Sequence, residues 1–198
     1  MTESILLKYD TPVERDILFS PRNGEEMMKA VEYKAPIIMY SDLSKIAEKI
    51  GPVRTIAAMF KRSMKNIILL QNPNNMQTGH WFSVSCNPSK KEIYFFSTYG
   101  GKPDVEKISW ISKNDLQKSK QTFNIFNDGL KIYQNHGWTI HYNDYPFQKR
   151  DDNTAFCGIY TAAFLRCNKN PDDFVNICKC LIERKINPAI YFFNKYFH

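Results

Sequence analysis

A cysteine followed by glycine opens the apolar run Phe156-Cys157-Gly158-Ile159-Tyr160, and upstream of it stand the histidine His80 and the glutamine Gln148. A thiol attacks carbonyl carbon as its thiolate, and two settings favour that form: the partial positive charge of a helix N-terminus and a neighbouring imidazole. From Cys157 onward Ile159, Tyr160, Ala163, Phe164 and Leu165 recur at helical spacing, and Asn153 and Thr154 just before it are capping or turn residues. The pattern therefore predicts Cys157 at the start of a helix. A buried structural thiol is the alternative, because free cysteines are among the most buried side chains. His80, next to Trp81, is the base to pair with it: it would take the thiol proton and return it to the leaving amine. His136, His141 and His198 compete for that role, but none precedes a doubled-aromatic strand as His80 does. Trp81 reads as a packing residue beside His80.

The elements that must bring these groups together lie between Asn66 and Gly100. NIILLQ is a short β-type run, NPNNMQTG is dense in turn formers, HWFSVSC alternates, NPSKK is a turn and EIYFFSTYG is a further strand. This predicts a three-stranded meander with His80 at the beginning of the middle strand. The tight return places residue 97 near it, so Ser97 is the candidate to touch the imidazole. Elsewhere, residues 25–33 read as a helix that stops before Ala35-Pro36, residues 37–40 as a short strand, and Ser41-Asp42 as the cap of a short helix ending at Gly51. Residues 52–65 fit no single pattern. A helical patch at 110–118, an amphipathic segment at 123–133 and a β-type run at 138–142 follow. The chain then passes Asn143 to reach Gln148. A last helix at 171–184 begins with Pro171, Asp172 and Asp173, and the aromatic tail INPAIYFFNKYF is expected to pack back on the domain.

Composition sets the class. The 198 residues are enough for one domain with a proper core; the hydrophobic share of 43% and charged share of 24% are ordinary for a globular protein. No apolar run reaches the roughly 18 residues of a membrane span, and the N-terminus lacks the basic-then-apolar layout of a signal peptide, so an intracellular protein is expected. The five cysteines show neither zinc spacing nor a disulfide framework and read as reduced thiols; no metal or other cofactor is expected. The net charge of +7 suits a polyanionic partner, but the basic residues are scattered. Arg54, Lys61, Arg62 and Lys65 form the nearest approach to a cluster, which a solvated helix face explains equally well.

The order of these residues resembles that of the adenovirus-type and ubiquitin-like-protein-specific (ULP) cysteine proteases, a clan whose chain order is His, acid or amide, Gln, Cys. The matching stretches are Tyr40-Ser41-Asp42-Leu43, Gly79-His80-Trp81, Tyr94 to Gly100, Asn143 with Gln148, and Asn153 to Gly158, spanning about residues 40–166. Within the clan the likeness is to the maturation proteases of virophages, polinton-like elements and large DNA viruses. The resemblance implies an α+β fold, a papain-like cysteine protease of the adenain/ULP type: a central mixed β-sheet flanked by helices, with the nucleophile at a helix N-terminus. It implies one protease domain over 1–198, with 1–35 standing as a candidate N-terminal appendage.

The same resemblance assigns the site: Cys157 as nucleophile, His80 as base and Gln148 as the oxyanion-hole glutamine, acting with the Cys157 backbone N–H. Nine positions separate Gln148 from Cys157, so the loop between them must bulge. Ser97 stands where the family has Asp, Glu or Asn. A hydroxyl carries no charge to favour imidazolium, so either a Cys-His dyad suffices or Asn143 or Asp152 supplies an orienting group. The implied function is a viral cysteine endopeptidase that cuts capsid or core precursor proteins during virion maturation, after small residues such as Gly. The implied settings are the virion and the host cytoplasm, with a monomeric enzyme, no membrane partner, and DNA or a peptide as an activator. A SUMO or ubiquitin-like isopeptidase, and a catalytically weak basic DNA-binding virion protein on the same fold, are the alternatives.

Overall fold

A computed structural model describes residues 12–148 and 155–197. Five strands form one sheet in the order β1 (Ile37–Met39), β2 (Lys65–Asn72), β3 (Asn75–Asn87), β4 (Glu92–Ser97) and β5 (Thr139–Tyr142). The inner three are the expected antiparallel meander; β1 joins β2 and β5 joins β4 in parallel, which makes the sheet mixed. Side chains alternate across it, so each face carries its own core. Ile67, Leu69, Trp81 and Phe96 face α8 (Phe156–Cys167), α9 (Pro171–Glu183) and α10 (Pro188–Tyr196). Ile68, Leu70, Phe82 and Phe95 face α3 (Tyr40–Ile50), α4 (Pro52–Arg62) and α7 (Ile125–Asn135). The architecture is α+β, a mixed sheet flanked by helices on both faces.

The nucleophile helix α8 is the central element of the first face. Every residue from Phe156 to Leu165 is buried, as a helix that is apolar all round must be. Phe96 of β4 stacks on Phe164 at 4.7 Å and 10°, and Phe174 of α9 meets both rings edge-on. The aromatic tail is helix α10, and it packs back on α8 through Phe192, as the sequence suggested.

Three expectations change. First, residues 12–34, part of the candidate appendage, pack onto the sheet domain. Helices α1 (Pro12–Phe19) and α2 (Gly24–Ala30) lie against the α8 face, with Met27 and Ala30 fully buried in its core. Between them, Arg22 is 8% exposed; its guanidinium donates to the carbonyls of Ile17 and Ser20 and lies 5.0 Å from the Phe193 ring centroid. Second, α3 starts at Tyr40 directly from β1, without a side-chain cap from Ser41 or Asp42; the buried Ser41 N–H is met by the Gln71 carboxamide at 3.3 Å instead. Third, the helical patch at 110–118 is two short helices, α5 (Val105–Trp110) and α6 (Lys113–Lys118). They are separated where Ser112 caps α6 by accepting the Asp115 N–H. Residues 52–62, which matched no pattern, are α4, started by Pro52 in its first turn. The cap expected at Asn153-Thr154 lies outside the described residues.

Candidate active site

His80 is the sixth of the thirteen residues of β3 and not at its beginning as the runs suggested, because the strand starts at Asn75, within the stretch read as turn formers. It follows a close backbone crossing. A Cβ on Gly79 would sit 2.0 Å from the Leu70 carbonyl oxygen of β2, so the residue before His80 has no room for a side chain. The β3–β4 register pairs Phe82 with Ser97, which puts Ser97 on the face of His80 and one diagonal step away. The two side chains meet: His80 Nε2 and Ser97 Oγ are 3.0 Å apart, with His80 1% and Ser97 0% exposed. The Tyr99 N–H also points to Ser97 Oγ, at 3.3 Å, and occupies one of its lone pairs. That arrangement suits Nε2–H donating to Ser97, which leaves Nδ1 as the basic nitrogen of the neutral ring. The ring of Tyr99 covers the imidazole at 4.4 Å between centroids.

Cys157 is the second residue of α8, at the N-terminal end the spacing predicted. Its side chain is within electrostatic reach of His80 and of the backbone N–H groups of Trp81 and Gly158. Burial pushes the thiol up; the nearby His80 imidazole, with those two N–H groups, outweighs it and holds the thiol below its ordinary value. The half-buried Cys86 and the buried Cys178 lack such neighbours. Burial alone pushes Cys86 up to about 11, and it pushes Cys178 further still. Cys157 is thus the thiol poised to ionise. Its helix end is fixed by close packing: a Cβ on Gly158 would meet Arg22 Cβ, Arg22 Cγ and Met27 Sδ at 3.0 Å each. The Trp81 indole N–H donates to the Arg22 carbonyl at 3.1 Å; Trp81 is 5% exposed and packs, but on the α8 face of the sheet rather than beside the His80 ring.

Gln148 is 5% exposed and is tied to the residue after Ser97. Its N–H, like that of Phe147, goes to the Thr98 carbonyl, and Thr98 Oγ1 donates to its Oε1 at 3.3 Å. Asn143, fully buried, does not orient the imidazole. Its carboxamide accepts the Ser97 N–H at 3.1 Å and donates to the Ser97 carbonyl at 2.7 Å, extending the β4 ladder with a side chain after β5 has ended. Asp152 lies outside the described residues, as does His198. His136 is an exposed residue closing α7, and His141 pairs with Tyr94 in the sheet, near Glu92. Neither is among the groups acting on the Cys157 thiol. Tyr99 and Thr98 are the residues that pattern reading missed. Both follow Ser97 directly, in the turn that leaves β4, and that adjacency was the available signal.

Among the described residues no group of three or more His, Cys, Asp or Glu could hold a metal ion, and no helix is long and apolar enough to cross a membrane. What the site can do chemically is nucleophilic attack by a thiolate on a carbonyl carbon, with proton transfer through imidazole.

No family model matches the chain. It is 28% identical over 139 residues to the uncharacterized protein V9 of Sputnik virophage, which covers 67% of this chain and 68% of that protein. Among solved structures it is similar to the SUMO protease Ulp1 with its catalytic cysteine oxidized to a sulfinic acid, at 19% identity and a TM-score of 0.35 over 70% of this chain. It is also similar to the C-terminal Ulp1 protease domain in complex with Smt3, the yeast ortholog of SUMO, at 18% identity and a TM-score of 0.35 over 71% of this chain. The match spans 60% of each of those two chains. Overlap at that level carries no weight for function, which stands on the geometry of the site.

Proposed function

We propose that the chain is a cysteine endopeptidase with Cys157 as nucleophile, His80 as general base and acid, Ser97 as the group orienting the imidazole, and Gln148 as an oxyanion donor. The observation that carries this reading is geometric: Cys157 stands at the second position of α8, beside a buried imidazole whose Nε2 is held by Ser97, and these neighbours hold its thiol below the ordinary value. The thiolate would attack the scissile carbonyl, the Gln148 carboxamide and the Cys157 N–H would stabilise the tetrahedral oxyanion, and His80 would protonate the leaving amine. Water, deprotonated by His80, would then release the acyl group. The site lies in a dry setting, where such hydrogen bonds act strongly.

The substrate in this reading is a viral capsid or core precursor, cut after a small residue such as Gly during virion maturation in the infected cell. The virophage relative supports a viral setting. The net charge of +7 supports DNA as an activator. The test is the rate of alkylation of Cys157 against pH, read by peptide mass, in the wild type and in His80→Ala, with and without DNA. The expected result is that Cys157 reacts at mildly acidic pH, where the other thiols do not, and that His80→Ala abolishes this. Ordinary thiol titration in the wild type under every condition would overturn the reading. Cleavage of a Gly-Gly ubiquitin-like fusion, with viral precursors left intact, would replace the substrate with an isopeptidase one.

A further inference from the structure

The dipeptide Ser97-Thr98 ends β4 with two buried hydroxyls, both 0% exposed, and they serve different partners. Ser97 Oγ meets His80; Thr98 Oγ1 meets the Gln148 carboxamide oxygen. A carboxamide has an oxygen end and an NH2 end of nearly the same shape, and only its hydrogen bonds decide which end points where. An oxyanion can be stabilised by the NH2 end and is repelled by the other. The Gln148 backbone is already pinned, because the Thr98 carbonyl accepts the N–H of both Phe147 at 2.8 Å and Gln148 at 3.1 Å. The half-turn of the amide is a separate choice, which the backbone bonds do not make.

We propose that Thr98 is a positioning residue that fixes this half-turn: its hydroxyl donates to Gln148 Oε1 and so commits the NH2 end to the oxyanion. The reason is the accounting of a buried proton. The Thr98 hydroxyl has no acceptor other than Gln148 Oε1 among the described residues. With the amide turned round, Oγ1 would accept from the NH2 end and its own proton would be left buried without an acceptor, at a cost of about 1–3 kcal/mol. Such a cost holds one orientation over the other by roughly five- to a hundredfold. Ser97-Thr98 would then divide two tasks, one hydroxyl holding the base and the next the oxyanion donor.

This inference rests on the protease reading, and the test separates the two using two small reagents on the full chain. Iodoacetamide alkylates the Cys157 thiolate at a saturated carbon and forms no oxyanion. With p-nitrophenyl acetate the thiolate attacks the ester carbonyl, a tetrahedral oxyanion forms, p-nitrophenolate leaves and a thioester remains. The ratio of acylation to alkylation therefore reads the oxyanion site and cancels changes in the thiolate population. Gln148→Ala should lower that ratio, by as much as about a hundredfold for one lost oxyanion donor. Thr98→Val, which keeps the shape and removes the hydroxyl, should lower it at least about fivefold, the weak end of the orientation preference, with alkylation and its pH profile unchanged. Thr98→Ser should restore it, and Thr98→Val should add little in the Gln148→Ala background. A wild-type ratio in Thr98→Val beside a lowered one in Gln148→Ala overturns the Thr98 role and leaves the protease reading standing. An equal fall of both reactions in Thr98→Val makes the residue merely structural and also overturns it. A wild-type ratio in Gln148→Ala removes the oxyanion assignment itself.

Discussion

Ser97→Ala tests whether a neutral hydroxyl holds the catalytic imidazole. The two atoms are 3.0 Å apart, both residues are at most 1% exposed, and the Tyr99 N–H on the same oxygen biases the hydroxyl towards accepting from Nε2–H. A hydrogen bond to a charged group contributes about 1.5–3 kcal/mol. Here it acts on imidazolium more than on neutral imidazole, so its loss raises the thiolate–imidazolium pair by about that amount relative to the neutral pair. Since about 1.4 kcal/mol is a factor of ten, the thiolate population at mildly acidic pH should fall by roughly ten- to a hundredfold. The sign follows from the Cys157 shift. A thiol held below its ordinary value keeps its reactivity as the pH falls from the ordinary range, and loses it only on passing through the lowered value. Ser97→Ala should move that loss towards alkaline pH and leave the rate at high pH, where any thiol is ionised, near wild type. The assay is the second-order rate of iodoacetamide with Cys157 across pH. Ser97→Asp should react as fast as wild type or faster. Its attraction to imidazolium, about 4 kcal/mol at 4 Å and intermediate dielectric, is offset by the cost of burying a carboxylate. An unchanged profile in Ser97→Ala would refute the argument that this hydroxyl acts on the imidazole.

Gly79→Ala should lower the unfolding free energy measured in urea by about 1–3 kcal/mol, as overpacking does, and should slow Cys157 alkylation, because the added Cβ collides with the Leu70 carbonyl one residue before His80. Asp104→Ala should be among the more damaging changes away from the thiol. Asp104 is 5% exposed and accepts the Tyr40 hydroxyl at 2.6 Å and the N–H groups of Phe126 and Asn127 at 2.9 and 2.8 Å. The Tyr40 hydroxyl keeps the Phe123 carbonyl at 2.7 Å, but leaving the two N–H groups at the start of α7 unmet should cost about 2 kcal/mol or more in urea unfolding, and a loss under about 1 kcal/mol would refute this account of the network.

The sequence determined the local elements and the chemistry each carries. The meander came from period-2 runs punctuated by Asn, Pro and Gly, and the helix after Cys157 from apolar spacing; both depend on neighbours close in the chain. The approach of Ser97 to His80 was legible for the same reason, since a hairpin fixes which residues return beside each other. What only tertiary structure decided involves partners far apart in sequence. Asn143 was read as a group for the imidazole and instead completes the backbone pairing of Ser97, 46 positions away. Residues 12–34 look like an appendage until Arg22 and Met27 are seen to limit the space at Gly158. Above all, the state of Cys157 is a balance between burial, which disfavours charge, and the imidazole and N–H groups that favour it. Side-chain type fixes neither side of that balance; it is set by how β3 and α8 pack against each other.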